Sequence, residues 1–192
     1  MNIKPILLVA GEPNSVFLEI FFKVFKKNKF KSPLILIASK KVLNLQMKKL
    51  NFSKQIRFLN PQKLNSYKLN NKTINLIDIK YNPSKAFEKI SSKSKNYIKD
   101  CFNTAIKIMN SGYTFKLING PISKKDFLNR RFPGVTEYLA DKFKKKNFAM
   151  LIYNKKLSVS TITTHLPIKN VSKNLNKKII INKVYLIDNF FK

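Results

Sequence analysis

The chain has 192 residues, of which 44% are hydrophobic, and a formal net charge of +30 at pH 7. This length and apolar content suffice for one α/β domain or slightly more, and they exclude a disordered chain. No apolar run approaches the ~20 residues of a membrane helix, and the first apolar stretch is too short for a signal peptide. The single cysteine excludes an internal disulfide and fits a reducing compartment. We therefore expect a cytoplasmic protein with no membrane span.

Nearly all of the positive charge comes from lysine, since arginine occurs only at Arg57, Arg130 and Arg131. Scattered lysines attract polyanions without recognising them, because lysine lacks the planar fork with which arginine contacts phosphates and bases. No signature of a nucleic-acid-binding fold is present. The composition therefore predicts no specific nucleic-acid partner. A non-catalytic basic module that binds nucleic acid or an acidic partner stays open as an alternative.

Apolar runs and helical spacings alternate through the first 120 residues. We predict strands at 4–10, 34–38, 74–79 and 115–118. We also predict three helices: one begins near residue 17, a second ends near residue 50, and a third spans 84–110. This alternation predicts an α/β fold with a mostly parallel sheet flanked by helices. Cys101 lies in the apolar stripe of the last of these helices, which predicts a core thiol rather than a nucleophile.

Shorter elements are predicted in the remainder of the chain. Ser123 is followed three residues later by an aspartate, which is the spacing of a capping box and indicates a short helix. We predict that Thr136 caps another helix, which ends near residue 144. Residues 148–153 and 157–162 predict a strand pair joined by a tight turn. Residues 174–192 form a dense apolar helical pattern, so we expect this helix to be covered by either a partner or downstream sequence.

The first candidate binding loop follows the strand at 115–118. An Asn-Gly-Pro turn leads into the Ser-capped helix, whose first turn contains Lys124 and Lys125. Free backbone N–H groups at a helix start, combined with cations, suit a phosphate or a carboxylate. The alternative is an ordinary turn with solvated lysines, and the local sequence leaves both open.

A second candidate loop is the Pro-Gly-Val-Thr-Glu segment at 133–137. Gly134 allows a ligand to approach the backbone closely, and Thr136 offers either a hydroxyl group to that ligand or a cap to the helix. Arg130 and Arg131, just before this segment, are either an anion clamp or surface residues.

His165 is the only histidine of the chain, and it follows the predicted strand at 157–162. Sites in α/β sheets gather at the carboxyl ends of strands, which favours a functional role. A lone histidine cannot hold a catalytic metal, because such sites take about three protein ligands. His165 is therefore either structural or a ligand without its companions.

Together these motifs resemble a known enzyme family. Segments of 4-hydroxythreonine-4-phosphate dehydrogenase are similar, in order, to Gly-Glu-Pro at 11–13, Asn-Gly-Pro-Ile-Ser-Lys at 119–124, Pro-Gly-Val-Thr-Glu-Tyr-Leu at 133–139 and Thr-Thr-His-Leu-Pro-Ile at 163–168. The similarity extends over the whole chain and about the first three fifths of such an enzyme. It implies an isocitrate- and isopropylmalate-dehydrogenase-like fold, incomplete at its C-terminus. Residues 1–120 would form the first part of the N-terminal α/β domain, and 121–192 the start of the central substrate, metal and dimerisation region.

The resemblance implies an NAD-dependent, metal-dependent enzyme that oxidises and decarboxylates 4-phosphooxy-threonine in pyridoxal phosphate (vitamin B6) biosynthesis. His165 would be the first of three ligands to zinc, magnesium or cobalt, with its companions further downstream. Thr136 would contact the phosphorylated substrate, and Lys124 would lie near its phosphate. Family members are homodimers. Because two of the three metal ligands and most of the NAD contacts would lie downstream, the resemblance implies that this chain is inactive alone, and it assigns no residue to catalysis or to NAD.

One position departs from the family pattern. A histidine that touches the substrate in the family is replaced here by Val135. The loss of that imidazole leaves open a second interpretation, in which the enzyme acts on another phosphorylated four-carbon hydroxy acid.

Overall fold

The computed structural model describes residues 3–27, 29–128 and 131–192. The chain divides into two compact units, Met1–Asn129 and Arg130–Lys192. This division lies further along the chain than the boundary predicted after residue 120, and the roles predicted for the two segments remain predictions. Arg130, one of the two candidate anion-clamp residues, lies outside the described residues.

The first unit is built on a five-stranded parallel sheet with the order β3-β4-β2-β1-β5. Its strands are β1 (Ile6–Val9), β2 (Leu34–Ala38), β3 (Ile56–Phe58), β4 (Ile74–Asp78) and β5 (Leu117–Asn119). Three helices accompany them: α1 (Phe17–Lys27), α2 (Lys40–Lys49) and α3 (Lys95–Asn110). The predicted α/β fold with a mostly parallel sheet is confirmed. The strand β3 was not predicted, because it is short and none of its side chains is fully buried.

Burial on both faces explains the continuous apolar runs of the central strands. Leu8, Leu36 and Leu76 belong to one cluster with buried residues of α1 and α2. Side chains alternate along a strand, so Leu7 and Ile35 point to the opposite face, and α3 contacts β1 and β2. The core therefore lies in two layers, one on each side of the sheet.

The prediction of one helix over 84–110 is wrong in its first part, because α3 begins only at Lys95. Residues before it are held in turns instead. The backbone N–H and hydroxyl of Ser84 both donate to Glu88 Oε1, at 2.7 and 2.6 Å. The Glu88 N–H donates to Asn14 Oδ1, and Phe87 has a left-handed backbone with a φ of 56°. Local side-chain hydrogen bonds thus compete successfully with helix formation.

Cys101 lies in the core, as predicted. Its side chain is fully buried in α3, and burial raises the pKa of the thiol to about 12. A thiol with so high a pKa carries almost no thiolate at neutral pH, which agrees with a packing role.

The second unit contains α4 (Val135–Lys142), β6 (Met150–Ile152), β7 (Val159–Thr161), α5 (Ile168–Val171) and α6 (Lys177–Phe191). The strands β6 and β7 pair antiparallel, which confirms the predicted strand pair. The last helix begins after Asn176, whose side chain accepts a hydrogen bond from the Ile179 N–H at 2.9 Å. No residue of α6 is buried. Among the described helices, none has the length and apolar character needed to cross a membrane.

Candidate functional site

The loops after β1 and β5 pack backbone against backbone at the carboxyl edge of the sheet. The Glu12 N–H donates to Pro121 O at 2.8 Å. A Cβ on Gly11 would lie 2.4 Å from Pro121 O, and a Cβ on Gly120 would lie 2.2 Å from Ala10 O. Gly11 also has a φ of 71°, a conformation that favours glycine. Both glycines are therefore required for this close approach.

Glu12 is a buried acid at the centre of this loop region. It is 2% exposed; Ser94 Oγ donates to its Oε2 at 2.7 Å, and the Asn14 N–H donates to its Oε1 at 3.4 Å. Burial raises the pKa of Glu12, the bonds from Ser94 and Asn14 oppose that rise, and the negative charge of Asp126 adds to it. The sequence motifs name Gly-Glu-Pro at 11–13 only as part of the family resemblance and assign no role to Glu12, so this cluster was not predicted. A carboxylate directly after a buried parallel strand was the available signal.

The predicted helix from Ser123 is not formed. The capping-box hydrogen bonds are present, since the Asp126 N–H donates to Ser123 Oγ at 3.2 Å and Ser123 Oγ donates to Asp126 Oδ2 at 2.6 Å. The segment makes only a turn, in which Phe127 is buried and stacks on Phe102 with ring centroids 5.6 Å apart. Lys124 is exposed on this turn and does not lie at the N-terminus of a helix, so the predicted combination of helix N–H groups and lysines is not formed. Its predicted contact with a substrate phosphate stays a prediction.

An open groove of 1330 Å³ lies at the opposite, amino-terminal edge of the sheet. Lys4, Tyr67, Lys107 and Tyr113 are among its lining residues. Ligands of open parallel α/β sheets bind outside the carboxyl ends of the strands. None of the sequence motifs lies in the groove, so we do not place the substrate there.

In the second unit, Thr136 lies inside the first turn of α4 and does not cap it. The N-cap is Gly134, which has extended backbone and no side chain to accept a hydrogen bond. The predicted cap is therefore wrong. Thr136 is half-buried, and Val135 is the first residue of the helix.

Glu137 and His165 converge beside Gly134. Glu137 Oε1 accepts a hydrogen bond from Thr164 Oγ1 at 2.9 Å. Glu137 Oε2 is buried and has no hydrogen-bond partner among the described residues. A Cβ placed on Gly134 would lie 2.9 Å from Glu137 Oε2 and 3.3 Å from His165 Nε2. The absence of a side chain at Gly134 therefore leaves the space in which a carboxylate and an imidazole face each other.

His165 itself is exposed and has a φ of 57°, a left-handed conformation that is uncommon outside glycine. It follows β7, but β7 pairs antiparallel with β6 and does not belong to the parallel sheet. His165 does lie after the carboxyl end of a strand, but the tendency of sites to gather at the edge of a parallel sheet does not apply to it; it lies in a polar cluster instead. Strained backbone of this kind often marks a functional site.

A divalent cation fits this cluster in part. The His165 imidazole is chemically suited to it, and the orphaned Glu137 Oε2 places a carboxylate oxygen beside that ring in the space left by Gly134. The described residues contain no group of three histidine, cysteine, aspartate or glutamate side chains that could hold a metal ion. Further ligands must come from elsewhere if a metal binds here.

The sequence matches a known protein family over most of its length. The model of the pyridoxal phosphate biosynthetic protein PdxA matches residues 29–192. The chain belongs to this family. The resemblance to this family is thereby confirmed, and the match includes the motifs at 119–124, 133–139 and 163–168.

Individual PdxA-family relatives match nearly the whole of this chain. The 4-hydroxythreonine-4-phosphate dehydrogenase of Sulfurihydrogenibium is 32% identical to it, over 96% of this chain and 57% of that protein. The D-threonate 4-phosphate dehydrogenase of Salmonella typhimurium is 22% identical, over 100% of this chain and 60% of that protein. A crystal structure of 4-hydroxythreonine-4-phosphate dehydrogenase from Klebsiella pneumoniae has the same fold, with a TM-score of 0.79 at 23% identity over 98% of this chain and 59% of that one. The chain therefore spans about three fifths of the length of these proteins.

Proposed function

We propose that this chain forms part of an NAD-dependent, metal-dependent dehydrogenase that oxidises and decarboxylates 4-phosphooxy-threonine in pyridoxal phosphate biosynthesis. The observation that carries the proposal is the convergence of His165 Nε2 and Glu137 Oε2 beside Gly134. Both residues lie in the motifs that resemble the enzyme family and within the matched residues 29–192.

His165 would supply one ligand to zinc, magnesium or cobalt, and the remaining ligands would lie outside the described residues. When bound, such a cation polarises the substrate alcohol and then the ketone oxygen. Contacts at the phosphate end of the substrate would hold the reacting carbon in line for hydride transfer, which reduces the entropy cost of the reaction. No described residue is assigned to NAD, whose contacts we place mainly outside this chain.

The phosphate end of the substrate would lie against the first turn of α4. Gly134 offers no side chain to the N–H groups of that turn, so a phosphate oxygen can accept from them. The hydroxyl of Thr136 adds a donor at the same place, and the helix dipole favours the negative charge. Lys124 would add a positive charge from its exposed turn.

We further propose that the complete enzyme is a homodimer, because the second unit exposes an apolar surface. Its large exposed side chains include Ile168, Ile180, Val184, Tyr185 and Phe190. Exposed apolar patches of this kind mark interaction surfaces. Sedimentation should show a dimer that Val184→Glu converts to a monomer; a monomeric wild-type protein would contradict the proposal.

NADH formation from 4-phosphooxy-threonine tests the proposed activity. The 192-residue chain alone should give none with zinc, magnesium or cobalt, because its described residues do not complete a metal site. Protein expressed together with any downstream coding sequence should give metal-dependent NADH, and Thr136→Val should raise KM for the phosphorylated substrate. Metal-dependent NADH formation by the 192-residue chain alone would contradict the proposal that its site is incomplete.

A second candidate substrate is another phosphorylated four-carbon hydroxy acid, such as D-threonate 4-phosphate. Val135 stands where a substrate-touching histidine is expected, and one relative is a D-threonate 4-phosphate dehydrogenase. The ratio of kcat/KM for the two substrates decides between them. If the valine determines the preference, Val135→His should shift that ratio toward 4-phosphooxy-threonine.

A further inference from the structure

Glu137 has a role that its position suggests and the resemblance does not assign. We propose that Glu137 is a positioning residue for His165: its Oε2 accepts a hydrogen bond from Nε2–H of the imidazole and leaves Nδ1 as the nitrogen that binds a cation. The cation part of this inference rests on the proposed function, whereas the hydrogen bond does not.

One end of the Glu137 carboxylate is already fixed. Thr164 Oγ1 donates to Oε1 at 2.9 Å, and the backbone of Glu137 is part of α4. The other oxygen, Oε2, is buried and has no hydrogen-bond partner within residues 3–27, 29–128 and 131–192. A buried carboxylate oxygen without a donor is destabilising, so the fold has to offer a donor nearby.

His165 is the group placed to be that donor. Its Nε2 and Glu137 Oε2 both lie within 3.3 Å of the position that a Cβ on Gly134 would occupy. The two atoms are not hydrogen-bonded in the structure, so the proposal requires the exposed ring to rotate toward the carboxylate, and no side chain at Gly134 stands between them. A hydrogen bond from an imidazole to a carboxylate is charge-assisted, and it fixes which ring nitrogen remains free for a metal.

The same carboxylate accounts for the backbone of this segment. His165 has a φ of 57°, which a residue other than glycine adopts only where its surroundings impose it. Glu137 would hold two consecutive residues, Thr164 through Oε1 and His165 through Oε2. The left-handed residue and the residue before it would therefore both be hydrogen-bonded to one side chain of α4.

Nuclear magnetic resonance of the imidazole tests the proposal, and with a single histidine in the chain its signals are unambiguous when no polyhistidine tag is present. Wild-type protein should show a ring N–H proton at Nε2 that is protected from exchange with water. Glu137→Gln should lose this signal and weaken the dissociation constant for Zn²⁺ by about 10- to 100-fold. Asp141→Asn, the same chemical change at an exposed position of α4, should alter neither.

The possible outcomes separate this inference from the proposed function. Loss of the protected signal in Glu137→Gln supports the positioning role even if neither protein binds Zn²⁺, and that second result counts only against the proposed metal site. An unchanged signal, or Zn²⁺ bound at Nε2, overturns the positioning role while leaving the proposed function intact. If Glu137→Gln does not fold, Thr164→Val keeps the test open, because it frees the carboxylate and should weaken the same signal.

Discussion

Two glycines show how differently the absence of a side chain can act at the residue scale. Gly134 has extended backbone that any residue can adopt, but a Cβ there would touch Glu137 and His165. Gly112 has a φ of 76°, and a Cβ there would meet nothing within 4 Å. Gly134 therefore leaves room for Glu137 and His165, whereas Gly112 provides the left-handed backbone that follows α3.

Alanine at these two glycines should give opposite results. Gly134→Ala should shift the imidazole signals of His165 and change the free energy of unfolding by less than about 1 kcal/mol, because flexible side-chain ends can move away. Gly112→Ala should lower that free energy by about 1–2 kcal/mol through left-handed strain and leave the imidazole unchanged. Urea unfolding and imidazole spectra of both variants measure this, and an undisturbed imidazole in Gly134→Ala would contradict the described site.

The thiol of Cys101 should report unfolding. Because it is fully buried and its pKa is raised to about 12, it should not react with a thiol reagent at pH 8 in the native protein. In denaturant it should react completely, and the chain has no other cysteine to confuse the reading. Rapid stoichiometric labelling of the native protein would contradict the placement of this residue in the core.

At the scale of elements, side chains on loops set where strands and helices begin. The Leu34 N–H donates to Asn71 Oδ1 at 2.9 Å, and Asn71 Nδ2 donates to Phe30 O and Ser32 O at 3.2 and 2.9 Å. One asparagine thus satisfies three backbone groups at the start of β2. Backbone groups in such places need partners, so the contribution of this side chain should be measurable.

Asn71→Ala should lower the free energy of unfolding by about 1.5–3 kcal/mol, because it leaves three backbone groups without their partner. The matched control is Asn65→Ala, at an exposed position, where a change within about 0.5 kcal/mol is expected. Urea denaturation of the two variants measures both values. Equal effects would mean that the hydrogen bonds of Asn71 contribute nothing beyond those of a surface asparagine.

Glu12 joins the loop after β1 to the start of α3 and should make stability depend on pH. Its pKa is raised above the usual 4.5 by burial, so Glu12 binds a proton more readily in the folded protein than in the unfolded chain. The resulting stability is fully present below the unfolded pKa and is lost as pH rises through the higher folded pKa. Urea midpoints of wild type relative to Glu12→Gln should therefore fall as pH rises from about 4 upward.

Ser94→Ala provides the second half of that measurement. The hydroxyl of Ser94 donates to Glu12 Oε2 and opposes the rise in pKa, so its removal should raise the pKa of Glu12 further. The loss of stability should then extend to higher pH than in wild type. A difference between wild type and Glu12→Gln that does not change with pH would contradict the raised pKa.

At the scale of the whole molecule, the net charge of +30 is the dominant electrostatic feature. The ion pairs between described residues are Lys23 with Glu19 and Lys192 with Asp188, both near the surface. Most of the positive charge is therefore uncompensated. Such a surface attracts polyanions over long distances without providing sequence recognition.

Binding to duplex DNA should consequently be electrostatic only. Retention at low salt should disappear by ~200 mM salt and should not depend on the DNA sequence. Fluorescence anisotropy with two unrelated duplexes across a salt series measures this. Sequence-dependent binding that persists at physiological salt would favour the alternative of a basic binding module over the dehydrogenase proposal.

The sequence alone determined the parallel α/β architecture, the core position of Cys101 and the family. Strands that are buried on both faces are continuously apolar, and the motifs of a family keep their order along the chain. Both features can therefore be recognised in the sequence without the structure. Only the tertiary structure decided which polar groups meet. Glu12 meets Ser94 across 82 residues, and Glu137 meets Thr164 across 27. The tertiary structure also showed that no helix begins at Ser84 or at Ser123. Local side-chain hydrogen bonds at Ser84 and the burial of Phe127 after Ser123 outweigh the helical spacing. Such contacts do not produce a periodic pattern, so the sequence does not reveal them.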